Sequence, residues 1–176
     1  MTLLPAFQLS AAYNQWANTR LYDACAGLDD ADYRRDLGAF FGSIHGTLNH
    51  LLLADRLWLG RLQGRIPEFA GFDAELFADR IELRAARTET DTAICLYLDS
   101  IGTDSLQHVL RFTSFLGGRE MRLPCWVALT QLFNHQLHHR GQVTALLSRL
   151  GVDYGDIDLI WMPGSEAGRR TPPAGA

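Results

Sequence analysis

The chain reads as an all-α protein, a four-helix bundle with a short hairpin-like excursion before its last long helix. Three observations predict this. Helical periodicity runs through almost all of the 176 residues, capping and stop residues divide it into four long segments, and the lengthy connection that breaks the period, 102–123, precedes the last of them. This length suits one domain, expected over residues 1–162. The tail 163–176, built of Gly, Pro, Ser and Arg, is expected to be disordered.

A first helix is expected from Phe7 to Gly27, burying Phe7, Ala11, Leu21 and Tyr22 with Tyr13 and Trp16 nearby. Residues 28–41 read as a connection with one helical turn near Asp30–Arg35. Ser43 is an N-cap for a second helix that runs to Gln63, with Gly64 as its stop. That helix is apolar nearly all round and should be deeply packed. Residues 65–71, with Pro67 and Gly71, read as a loop. Asp73 then caps a third helix to Ile101, offering Leu76, Phe77, Ile81, Ile94, Leu96 and Leu98 to the core.

Leu110, Phe112 and Phe115 precede Gly117-Gly118, and Met121 and Leu123 follow, which is a hairpin pattern. Pro124 suits the first position of a fourth helix ending at Leu150, before Gly151. Leu159–Met162 reads as one extended docking segment.

Bulk properties narrow the function classes. The net charge of −4 and pI near 5.8 lack the basic excess of a nucleic-acid surface. Every basic residue is Arg, so a Schiff-base or Lys-nucleophile mechanism is excluded. Cys25, Cys95 and Cys125 are far apart and form no C-x-x-C, which suits a reduced, intracellular protein and offers no thiolate metal site. With no positive n-region and no apolar run able to span a bilayer, a cytoplasmic protein is expected. No Ser-His-Asp order, phosphate-cradling Gly loop or paired carboxylates for acid–base work is evident.

The most informative pair is His135 and His139, four residues apart in LFNHQLHHRGQ. That spacing leaves two side chains about 40° apart around a helix axis, one turn above the other. Ala128, Leu132, His135, His139, Gln142 and Leu146 form one stripe at intervals of four and three, so polar groups interrupt a seam that should be apolar. Each needs a partner there. A neutral imidazole bonded to a neighbouring helix would satisfy the pattern, and so would a metal ion. A third ligand would come from another helix. His45 and His50 on the second helix differ by about 140° and cannot face one point, and their surroundings do not choose between them. Asp55 reads more easily as the ion-pair partner of an Arg.

Three segments, YNQWANTRLYDA, GSIHGTLNHLLLADRLWL and LFNHQLHHRGQV, match a known pattern in order and spacing over most of the chain. The chain resembles the DinB/YfiT-like family of bacterial four-helix-bundle proteins. The more specific pattern is H-x-x-x-H-R-G-Q, paired with the upstream T-L-N-H-L-L. In similar proteins the His of T-L-x-H and the two of H-x-x-x-H-R-G-Q hold a divalent metal, often zinc or nickel. The resemblance therefore selects His50, His135 and His139 as ligands. The family pattern often continues with a further His, where this chain has Val143-Thr144, so pocket polarity can differ from that of relatives. A homodimer is implied by the same resemblance.

Three neutral imidazoles leave a divalent ion charged and with an open position, the arrangement of catalytic rather than structural zinc. Such an ion lowers the pKa of a bound water or thiol. Metal-assisted hydrolysis and transfer of a low-molecular-weight thiol to an electrophile are both open, and some relatives are thiol-dependent S-transferases or isomerases. A non-catalytic bundle holding a metal or small ligand in a stress response is the competing class. The enzyme needs an accessible cavity beside the metal, whereas a binding protein would tolerate a plugged site. Gln142 is a candidate to orient a ligand, and Tyr13 and Trp16 to wall a pocket. His138, beside Gln131 and Asn134, is expected to be exposed, and His108 has no assigned role. Arg140 is expected to lock the last helix to Asp55 or another carboxylate.

Overall fold

The structure, a computed structural model, describes residues 3–65, 70–114 and 117–165. Five α-helices and one two-stranded sheet appear among them. Helix α1 (Leu4–Ala26) starts earlier than the expected Phe7, because Pro5 falls in the first turn, where a missing N–H breaks no helical bond. The single turn α2 (Asp30–Arg34) is capped by the Asp29 carboxylate, which accepts from Asp32 N at 2.7 Å. Helix α3 (Ile44–Leu62) starts at the expected cap, with Ser43 Oγ accepting from Gly46 N at 3.0 Å. It stops before Gly64, whose φ of +71° suits a residue without a Cβ.

Helix α4 (Arg80–Ser100) begins seven residues after Asp73, the expected cap, and Asp79 is the cap instead, accepting from Ile81 N at 2.7 Å and Glu82 N at 2.9 Å. Asn49 of α3 explains the delay. Its Oδ1 accepts from Phe77 N at 3.0 Å and its Nδ2 donates to Phe77 O at 3.2 Å, so both main-chain groups of Phe77 are withdrawn from any helix. With the later start, the inward stripe of α4 runs through Leu83, Ala86, Arg87, Asp91, Ile94 and Leu98. Ile81 and Leu96, expected in the core, are 75% and 63% exposed.

The excursion is a hairpin. Strands β1 (Val109–Thr113) and β2 (Glu120–Pro124) pair antiparallel, with Val109 opposite Pro124 and Thr113 opposite Glu120. Phe115, expected in this turn, and Pro67 of the earlier loop lie outside the described residues. Pro124 is the residue before helix α5 (Cys125–Arg149) rather than its first, and Cys125 N donates to His108 O at 2.8 Å. Leu159–Trp161 is a 3₁₀ turn instead of an extended segment; its three side chains are exposed and Met162 alone of the segment is buried. In the expected tail, 163–165 form a turn with Ser165 buried, and 166–176 lie outside the described residues.

Helix α1 lies against α4 and α5, and α3 against α5 and α4, which closes a four-helix ring. None of these helices is long and apolar enough to cross a membrane. The core has two apolar ends. One gathers Leu21, Ile44, Leu52, Leu83 and Leu147; the other gathers Ala11, Leu59, Ile94, Leu98 and Leu129. Between them each helix places polar groups on its buried stripe: Asn14 and Asn18, Asp55, Arg87 and Asp91, Gln136 and Arg140.

Candidate metal centre

Helix α5 presents His135 and His139 one turn apart, and α3 presents His50 across from them. One ring nitrogen from each lies within 4.8 Å of the other two. His45, the alternative on α3, points elsewhere: its Nε2 is 2.7 Å from Glu75 Oε1 and its ring stands edge-on to Tyr33. The 140° separation keeps the two α3 histidines apart, as the helix geometry requires.

Hydrogen bonds set which nitrogen each ring offers. His50 Nδ1 is 2.8 Å from the Phe72 carbonyl, which can only accept, so the proton is on Nδ1 and Nε2 carries the lone pair. His139 Nδ1 is 2.8 Å from Gln142 Oε1, with the same consequence. These contacts are the kind that orient imidazoles on a metal. The Nε2 atoms of His50 and His135 are 3.2 Å apart. Two nitrogens at about 2.0–2.1 Å from one tetrahedral ion stand roughly 3.3 Å apart, so this pair is spaced for a shared cation.

His135 supplies a second sign of fit. Its Nδ1 is buried with no partner among the described residues. Placing its proton on Nε2 would serve His50 and leave Nδ1 bare, whereas placing it on Nδ1 would leave two lone pairs facing across 3.2 Å. Neither tautomer satisfies the cluster alone; a cation at Nε2 relieves the lone-pair repulsion of the second and leaves the Nδ1 proton without a partner among the described residues. Burial lowers the His50 pKa to about 4 and, with repulsion from His139 and His50, that of His135 to about 3; His139 is lowered chiefly by burial. All three rings are therefore neutral near pH 7, the state that binds metal.

Aromatic cover closes one side. Phe41 stacks on His50 with ring centroids 3.8 Å apart and reaches His139 at 5.5 Å. Gly46 permits this: a Cβ there would stand 2.3 Å from the Phe41 carbonyl oxygen. The other side opens on a cavity of about 450 Å³, whose wall includes His50, His135, Leu57, Trp58, Phe112 and Leu123. The hairpin thus acts as a wall of the site, with the Phe112 ring edge-on to Trp58 at 5.7 Å.

Tyr13 and Trp16, the expected pocket walls, are not among the residues lining this cavity. Tyr13 instead donates its hydroxyl to Ile157 O at 2.9 Å, and the Arg140 guanidinium lies 5.0 Å from its ring centre. His138 is exposed, with its ring 4.7 Å from that of His139. Arg140 is buried and donates to Asn14 Oδ1 rather than to the expected Asp55 or other carboxylate. Asp55 belongs to Arg87 at 2.9 Å and accepts from Gln136, and Arg87 also reaches Asp91 at 2.9 Å. Asn14 and Asn18 donate to Asp91 at 3.0 and 3.1 Å.

Sequence reasoning missed this layer, although it carries the signal that exposed the histidines: i,i+4 polar pairs (Asn14/Asn18, Arg87/Asp91, Gln136/Arg140) interrupting apolar stripes. It also missed Phe41 and the Phe72 carbonyl, which lie on irregular segments where no periodicity exists to read.

Comparison with known proteins identifies the family and the fold. The model for the DinB family matches residues 3–171. Protein DinB of Bacillus subtilis (strain 168) is 26% identical over 154 residues, covering 81% of this chain and 88% of its own. The crystal structure of a DinB-like protein from Bacillus cereus ATCC 10987 aligns with a TM-score of 0.66 at 22% identity, covering 85% of this chain and 94% of that one. At that identity the likeness bears on the fold.

Proposed function

This chain belongs to the DinB family, and from that premise we propose that it is a metal-dependent enzyme that transfers a low-molecular-weight thiol to a small electrophile. His50, His135 and His139 are the ligands of a divalent ion, zinc or nickel. The observation that carries the reading is the cavity of about 450 Å³ beside the histidines, since a storage or structural site needs no such space. Bound there, the ion supplies a positive charge with an open position that favours the thiolate over the thiol.

The chain's own residues do the rest. Phe72 and Gln142 fix the His50 and His139 tautomers and hold both Nε2 atoms inward. Phe41 keeps water from one side. The walls formed by Leu57, Trp58 and Leu123 hold an apolar substrate body. Sulfur forms the new C–S bond, the electrophile loses its leaving group, and the thiol proton passes to solvent.

Metal analysis of untagged protein tests the ligands, with about one equivalent expected and near none in His50→Ala. Cobalt-loaded protein mixed with cysteine, glutathione and other small thiols tests the chemistry. A sulfur-to-cobalt absorption band followed by loss of thiol to an added electrophile is the expected result. A loaded protein that shows neither overturns the reading.

A further inference from the structure

The cavity holds one permanently charged group among its described lining residues, Arg61. Its guanidinium carbon lies 4.0 Å from the centre of the Phe112 ring and 4.9 Å from that of Trp58. Two aromatic rings thus hold the cation. Contact with ring faces spends none of the guanidinium N–H donors as hydrogen bonds to oxygen. No carboxylate lies within ion-pair reach of Arg61 among the described residues, in contrast to Arg34, Arg35, Arg84 and Arg87. Burial lowers its pKa.

A half-buried cation held by two aromatics and facing a mainly apolar cavity is an unfilled half of a recognition pair. Deepening the reading of this cavity as the substrate site, and resting on it, we propose that it takes a molecule with an apolar body and an anionic head. The head is a planar or tetrahedral oxyanion (carboxylate, sulfonate or phosphate) seated on the N–H edge of Arg61. The body lies along Leu57, Trp58 and Leu123, and the reacting end is left beside His50 and His135. Arg61 is a specificity residue in this scheme and takes no part in bond making.

Titration of the metal-free protein separates this from the metal chemistry, because a carboxylate or thiol could otherwise bind an ion directly. The probes are 2-phenylethanesulfonate and its uncharged partner, 2-phenylethanesulfonamide, followed by calorimetry. Wild type is expected to prefer the anion by about tenfold or more, the worth of one hydrogen-bonded charge. Arg61→Gln should reduce the preference to about twofold or less. Arg111→Gln, an exposed change on β1, should leave it intact. Equal binding of the two probes by wild type, or a preference that survives Arg61→Gln, overturns the proposal. The wild-type comparison stands even if the Gln variant fails to fold. Since metal content is read separately, a protein that takes metal but shows no anion preference sinks this inference alone. One that shows the preference but never takes metal sinks the thiol chemistry alone.

Discussion

Two polar clusters sit in the middle of this bundle, and they are solved in opposite ways. The Asp55–Arg87–Asp91 layer is closed in charge: two carboxylates meet one arginine, Arg140 adds the second positive charge, and Asn14, Asn18 and Gln136 donate or accept around them. Its formal charge sums to zero and its members are almost wholly buried. The histidine cluster carries no charge, gathers three imidazoles from two helices, and borders a cavity. A cluster that balances its own charge holds helices in place. A neutral group of ligand nitrogens beside open space is suited to a cation.

Breaking the closed layer should have the largest effect. Arg87→Leu strands Asp55 and Asp91 in the interior, and equilibrium urea unfolding should show a loss of about 3–5 kcal/mol. Burial already pushes the Asp55 carboxyl up to about 6 against the pull of Arg87, so little margin exists for losing that partner. His135→Ala or His139→Ala should cost the metal-free protein about 1–2 kcal/mol and reduce metal content from about one equivalent to near zero. His45→Ala and His138→Ala should leave metal content unchanged. If a histidine change unfolds the protein as severely as Arg87→Leu, the two clusters are not distinct in kind.

A finer test removes support and keeps the ligands. Gln142→Ala frees His139 Nδ1 and should weaken metal affinity about 10–100-fold in a competition titration, with no change in fold. The smallest effect is in pH. The folded pKa values of His50 and His135, about 4 and about 3, lie below the ordinary 6.5. The unfolded chain therefore takes up protons first as pH falls. Stability that these rings contribute above pH 6.5 is lost as pH drops from there through about 4 to 3. A His50→Gln, His135→Gln double variant should show a flatter decline across that window, measured on metal-free protein. An unchanged slope would place the acid sensitivity in other groups.

Much of this was legible in the sequence where a regular period could be read. Four long helices, Ser43 as a cap, the Gly117-Gly118 hairpin and the convergence of His135 with His139 all follow from local pattern. The choice of His50 over His45 did not; it came from family resemblance, because both sides of α3 are apolar. The start of α4 differs from the expected one since Asn49, a side chain 28 residues before Phe77, decides it, and no local rule sees that distance. Arg140, expected to pair with Asp55 or another carboxylate, meets Asn14 for a related reason: Arg87, on a helix read for its hydrophobic residues, holds both Asp55 and Asp91.

The bond from His50 Nδ1 to the Phe72 carbonyl makes a stretch of irregular backbone part of the site's thermodynamics. Asn49, the adjacent residue, clasps the same stretch at Phe77. If a cation favours the state in which the clasp is closed, then by linkage the closed clasp strengthens the cation by an equal factor. Backbone amides of 70–79 would then exchange more slowly in loaded protein. Weakening the clasp at Asn49, whose side chain bonds His45 and Phe77 and none of the three histidines of the cluster, would appear as lost metal affinity.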